Sequence, residues 1–214
     1  REFVDIEFEA LAEARELARR LAREQAHRQL AIRQDLMRKR WLKVAKDYPT
    51  HDLLFLTGPA GTGKTHCALA CALQELLAGE KKQILVVRPI VEVGDTLGFL
   101  PGTVEEKISP YFDPIRRLIK RLTYKLPEEA VLFQPLAYMR GDTFEDTVLF
   151  LDEAQNATQS QLKMFLTRMG PSAKMIVTGD VTQVDLPKNT PSGLVQGLSL
   201  LNGIEGIGFV FLDG

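Results

Sequence analysis

Short, mainly apolar runs recur along the chain: Leu53 to Leu56, Gln83 to Val87, Val131 to Phe133, Val148 to Leu151, Lys174 to Val177 and Ile207 to Leu212. Runs without polar alternation suit strands covered on both faces, as in a parallel sheet between helices. Between them, Cys67 to Leu77 and Thr103 to Leu122 have helical character, the second expected to be interrupted near Pro110 and Pro114. Thr158 to Met169 reads as a further helix behind a Thr cap. Residues 1–47 contain neither Gly nor Pro, and their apolar positions (Leu11, Ala14, Leu17, Leu21, Leu30, Leu36 or Met37, Trp41, Val44) form a narrow stripe. Such a stripe predicts a long helix suited to packing on another helix or a neighbouring subunit. Tyr48 to Asp52, with Pro49, ends it. The expected organisation is a helical extension over residues 1–52 and an α/β domain over residues 53–214. The segment Val91 to Gly102 is too long and glycine-rich for a plain connector.

Three of the strand ends carry chemistry. Leu53 to Leu56 runs into Gly58-Pro59-Ala60-Gly61-Thr62-Gly63-Lys64-Thr65, a full match to G-x-x-x-x-G-K-[ST] between a strand and a helix. Glycines let the backbone approach phosphates, and the loop's N–H groups point partial positive charge at an anion. Lys64 is the candidate for the β- and γ-phosphates, Thr65 for Mg²⁺, and His66 follows directly as a further nucleotide-binding candidate. Val148 to Leu151 leads into Asp152-Glu153, the Walker B pattern: Asp152 to hold Mg²⁺ and Glu153 to polarise the attacking water. Just past Lys174 to Val177, Gln183 is placed to contact the γ-phosphate or that water.

Charge and cysteine usage narrow the class. A formal net charge of -1 argues against electrostatic wrapping of nucleic acid while leaving room for a local basic groove. The cluster Arg33, Arg38, Lys39, Arg40, Lys43 and Lys46 is either such a surface or a solvated face, the commoner use. Cys67 and Cys71 sit one turn apart with no other thiols nearby, which suits small buried residues better than a metal site. No run reaches transmembrane length and the N-terminus lacks a signal peptide's apolar core, so a cytoplasmic protein is expected.

Together GPAGTGKT (58–65), RPIVEVGDTLGFLPG (88–102), PLAYMRG (135–141), FLDEAQN (150–156), MFLTRMG (164–170), TGDVTQVDLP (178–187) and the later SGL and GIEGIGFV resemble the PhoH family of P-loop ATPases. The resemblance runs nearly continuously from Leu53 onward. It implies a RecA-like core similar to the first motor domain of superfamily 1 helicases, with the GDxxQ strand between the phosphate-loop and Walker B strands. It further implies Mg²⁺-dependent ATP hydrolysis, a homo-oligomeric ring with a hexamer as one candidate, and action on RNA or single-stranded nucleic acid.

Helicase-type relatives often read adenine with an upstream Gln, for which Gln34 is the nearest candidate. The sequence stops at Asp213-Gly214, where family members usually continue with an arginine-bearing basic segment. A missing arginine finger costs about 10³–10⁵ in turnover, so fast hydrolysis calls for an arginine from a neighbouring subunit. Arg140 and Arg168 are candidates, and Arg168 serves equally well as a helix C-terminal residue satisfying carbonyls. The rival readings are a nucleotide-dependent assembly module with little turnover and a small-molecule kinase; the second lacks an evident lid or acceptor pocket.

Overall fold

The computed structural model describes residues 2–90, 104–123, 126, 128–139 and 141–213. The glycine-rich segment read at Val91 to Gly102, and Arg140, lie outside the described residues. The chain divides into two compact units, Arg1–Lys39 and Arg40–Gly214.

Helix α1 spans Glu2–Asp47. Within the first unit, exposed pairs one turn apart support it: Arg20 with Glu24 at 3.3 Å and Lys39 with Asp35 at 2.7 Å.

In the second unit the described strands are β1 (Leu53–Thr57), β2 (Gln83–Arg88), β3 (Val131–Pro135), β4 (Thr147–Leu151), β5 (Lys174–Gly179) and β6 (Ile207–Phe211). They form one sheet in the order β3-β2-β4-β5-β1-β6, and every pairing is parallel. The strand bearing GDxxQ therefore lies between the phosphate-loop and Walker B strands, as the resemblance implied.

Period-two geometry divides each apolar run between two cores. Leu54, Leu56, Ile84, Val86, Val148, Phe150 and Ile176 face one core, with helices α2 (Lys64–Leu77) and α3 (Val104–Leu122). Leu53, Phe55, Leu85, Val87, Leu149, Leu151, Met175 and Val177 face the other, with α4 (Gln159–Leu166) and α5 (Gly193–Leu200). The result is a three-layer α/β architecture.

Three features depart from the sequence expectations. Helix α3 continues through Pro110 and Pro114. Both prolines are on the exposed side while Phe112, Ile115 and Ile119 are buried, so packing outweighs a helix break worth about 3 kcal/mol. Helix α5 was not anticipated from its glycine-bearing sequence. Its small residues permit close packing: a Cβ on Gly197 would lie 2.9 Å from Leu162 Cδ2. Finally, Arg40 to Asp52, read as part of the extension, belongs to the compact unit of the sheet. Val44 and Tyr48 are buried in its first core, and the Lys174 ammonium donates to the Tyr48 carbonyl at 3.0 Å. Buried side chains, not a composition change, set that boundary.

Candidate functional site

The site forms where β1, β4 and β5 end. After Thr57 the chain turns at Gly58, whose φ of +147° would be strained for any side chain. A Cβ there would come within 2.1 Å of the Leu212 carbonyl oxygen just past β6, so only glycine fits. Gly63, at φ +90°, swings the chain into α2, whose first residue is Lys64. The loop thus precedes a free helix N-terminus, an arrangement that attracts anions.

Lys64 Nζ donates to the carbonyls of Gly58 at 2.7 Å and Pro59 at 2.8 Å, which holds it against the loop. The Thr62 hydroxyl donates to Pro59 O at 2.8 Å. From the end of α1, Arg40 donates to Thr62 O at 3.3 Å and Asp213 O at 2.5 Å, and Lys43 to Phe211 O at 2.6 Å. Two members of the basic cluster therefore brace the loop and β6, a use the sequence did not suggest.

Asp152, at the end of β4, is 2% exposed. Its Oδ1 accepts from the Thr65 hydroxyl at 3.0 Å and the Thr178 hydroxyl at 2.7 Å, and its Oδ2 lies 3.2 Å from Arg88 Nε. Burial pushes the Asp152 carboxyl above its usual range, with Arg88 opposing and Glu153 adding to the shift. Glu153 takes a left-handed backbone at φ 57°, uncommon for a residue with a Cβ. Its carboxylate pairs with Arg88 Nη2 at 3.2 Å and accepts from Gln155 Nε2 at 2.6 Å. Past β5, Asp180 Oδ1 accepts from Thr182 N at 2.9 Å and the Thr182 hydroxyl at 2.6 Å, and these bonds hold the Asp180 carboxyl below its usual range. Gln183 N donates to Asp180 O at 3.1 Å.

These groups line one cleft of about 350 Å³. It gathers Ala60, Gly61, Gly63, Lys64, Thr65 and His66 with Asp152, Glu153, Gly179, Asp180 and Gln183, and adds Leu118 and Arg121 from α3. Gly58, Pro59 and Thr62 belong to the same loop but are not among the lining residues; Gly58 and Thr62 are buried and Pro59 is exposed. Partial burial, then the charge of Arg121, lower the basicity of His66. Arg168 is placed elsewhere: its guanidinium bonds the carbonyls of Met164 and Asp142, each at 3.3 Å, after the end of α4. Gln34 belongs to the first unit.

The donors fit a magnesium nucleotide. The Thr65 hydroxyl and Asp152 carboxylate are hard oxygen ligands 3.0 Å apart, and Mg²⁺ usually takes one or two carboxylates, retained water and substrate phosphates. Among the described residues no group of three or more His, Cys, Asp or Glu forms a self-sufficient metal cage. Asp180 Oδ2 is buried without a hydrogen-bond partner, a further acceptor at the cleft. Cys67 and Cys71 are free and buried, with thiols pushed up to about 11 and about 12 by burial, as packing residues would be.

Sequence reading missed Arg88, Gln155, Thr178 and Arg121. Arg88 carried a faint signal, a charged residue closing an apolar run. Gln155 and Thr178 fall within the quoted segments FLDEAQN and TGDVTQVDLP, and Arg121 within a basic stretch, but what each side chain touches emerges only from the fold.

A family model described as PhoH-like protein matches residues 33–214. A PhoH-like protein of Bacillus subtilis is 48% identical over 169 residues, 76% of this chain and 53% of the relative. Protein PhoH of Escherichia coli is 43% identical over 177 residues, 79% of this chain and 50% of the relative. The chain thus spans about half the length of the curated relatives it matches. Among solved structures, a large terminase from a thermophilic bacteriophage superposes with a TM-score of 0.50 at 13% identity, covering 81% of this chain and 45% of that one. Another structure of that terminase, in complex with ADP, gives 0.50 at 14% identity, covering 81% and 44%. At such identity the likeness speaks to the fold. Among the described residues, no helix is long and apolar enough to cross a membrane.

Proposed function

Since this chain belongs to the PhoH-like protein family, we propose that it is a Mg²⁺-dependent, cytoplasmic ATPase that acts as a homo-oligomer on RNA or single-stranded nucleic acid. One observation carries the reading: Lys64, Thr65, Asp152, Glu153 and Gln183, drawn from three strand ends, converge on one cleft.

In this reading the loop N–H groups and the α2 N-terminus hold the phosphates, and Lys64 exchanges its carbonyl partners for phosphate oxygens. Thr65 and Asp152 would hold Mg²⁺, which would supply charge neutralisation on the phosphates. Glu153 accepts a proton from water as the water oxygen bonds to the γ-phosphorus and the bond to the β-phosphate oxygen breaks. Gln183 orients that water. Arg117, Lys120 and Arg121, exposed on α3, support the nucleic-acid part of the proposal. An arginine finger, from Arg168 or Arg140 of a neighbouring subunit, would complete the site.

Phosphate release from ATP, measured with and without poly-RNA alongside light-scattering mass, tests the proposal. The expected result is RNA-stimulated turnover by an oligomer. Glu153→Gln should retain nucleotide and lower turnover by about 10²–10⁴-fold, the range for a general base. Unchanged turnover in that variant would sink the hydrolase reading. RNA affinity should fall steeply with salt, and salt-independent or absent binding would remove the nucleic-acid part.

A further inference from the structure

Glu153 follows a strand, β4, that lies between β2 and β5, and each neighbour reaches toward it. From the end of β2, Arg88 places Nε 3.2 Å from Asp152 Oδ2 and Nη2 3.2 Å from Glu153 Oε1. Its Nη1 donates to the Tyr111 carbonyl on α3, so the guanidinium is fixed on three sides. From the other direction, Gln155 Nε2 donates to Glu153 Oε2 at 2.6 Å. The same amide's Oε1 accepts from Asp180 N at 3.1 Å, just past β5. Gln155 is 2% exposed, and Gly179 leaves it room: a Cβ at Gly179 would lie 2.9 Å from Gln155 Oε1. Both oxygens of Glu153 are thus engaged, and a backbone conformation uncommon for glutamate persists because its surroundings hold it.

We propose that Arg88 and Gln155 are the positioning residues of the hydrolytic site. Arg88 sets the separation of the metal carboxylate and the base, and Gln155 ties the base to the segment that carries Gln183. The inference rests on the ATPase reading above and deepens it. Both residues act through Asp152 and Glu153, which makes them positioning rather than catalytic residues. Arginine suits the task because one planar fork spans two adjacent acids, whereas a lysine ammonium is a single point charge. Gln155 also makes the strand tips interdependent: a shift of the Asp180–Gln183 segment is passed to the base by one side chain.

The test compares the full chain with Arg88→Lys, Arg88→Met and Gln155→Glu. Three readouts are needed: phosphate release, equilibrium titration with a fluorescent ADP analogue, and thermal unfolding with ADP in the presence and absence of Mg²⁺. Arg88→Met should lower kcat on the order of 10²-fold, the effect of misplacing a reacting group by about 1 Å. Arg88→Lys should lose about 10-fold, since one of the two acids keeps its cation. Gln155→Glu keeps an acceptor for Asp180 N–H but loses the donor to Glu153, and kcat should fall here as well. ADP affinity should stay within about threefold in all three, a split that marks an effect on the chemical step.

The Mg²⁺ readout is independent of turnover. Without Arg88 two adjacent carboxylates lack their cation, so Mg²⁺ with ADP should raise the unfolding temperature of Arg88→Met more than that of the wild type. If Arg88→Met does not fold, Arg88→Gln, which also removes the cation, carries the same comparison. Unchanged kcat, a parallel loss of kcat and ADP affinity, or an equal Mg²⁺ response would each overturn the proposal. A wild type that binds nucleotide and releases no phosphate sinks the ATPase reading, and the Mg²⁺ response then decides the role of Arg88.

Discussion

At the scale of single residues, environment decides what each polar group can do. His66 is half-buried beside Arg121, and both burial and that cation favour its neutral form. The unfolded chain therefore binds a proton more readily, so His66 adds stability above the unfolded value near 6.5 and loses it as pH falls from there through the lowered value of the folded state. Thermal unfolding between pH 8 and pH 5 should show a steeper acid loss in the wild type than in His66→Asn; parallel curves would refute the assignment. Gly58 illustrates the complementary constraint. With a Cβ meeting Leu212 O at 2.1 Å, Gly58→Ala must displace either the phosphate loop or the end of β6. Nucleotide affinity in an ADP titration should collapse well beyond the loss in a control substitution at Gly79, which shares a left-handed φ of +75° but lies outside the cleft and where a Cβ would meet nothing within 4 Å.

Elements are held by a few polar pins as well as by apolar area. Lys174 opens β5 and is nearly buried, with Nζ 3.3 Å from Glu75 Oε1 of α2 and 4.4 Å from the Tyr48 ring centroid. The Tyr48 hydroxyl donates to the other Glu75 oxygen at 2.8 Å, and burial with that charge pushes its proton affinity far upward. Removing one partner strands a buried charge, so Glu75→Ala should cost about 3 kcal/mol. The double variant Glu75→Gln, Lys174→Met should recover much of that loss in urea unfolding, because no unpaired charge remains. The sheet strands were legible in the sequence because each is an apolar run ending in a turn or a motif. Helix α3 was legible in extent but not in continuity, since the prolines signal a break and only the buried face of Phe112, Ile115 and Ile119 overrides it. Helix α5 was not legible, because its glycines earn their place through contacts with α4. In the site, the phosphate loop and the paired acids were legible as local strings. Arg88 was not, because its acid partners lie 64 and 65 residues along the chain, and Gln155 was not as a link, because one of its partners, Glu153, is two residues away but the other, Asp180, is 25 residues on and is brought to it only by the fold.

At the scale of the whole molecule, the compact unit begins at Arg40, ahead of the first strand. Arg40 and Lys43 bond the phosphate loop and β6, and Val44 and Tyr48 fill the core. A chain starting at Arg40 should therefore keep its ADP affinity, whereas one starting at Leu53 should bind more weakly and unfold at lower temperature. Equal behaviour of the two in ADP titration and thermal unfolding would show that the segment contributes nothing to the site.

The contact of Gly58 with Leu212 also has a bearing on how the protein is made. The phosphate loop emerges from the ribosome well before β6, yet its wall is the backbone just past that strand. Sheet pairing between β1 and β6 closes a long stretch of chain, a slow kind of contact to form. A nascent chain arrested before Leu212 carries the complete phosphate-loop sequence without its finished cradle, so nucleotide capture during translation should switch on late rather than when Lys64 appears.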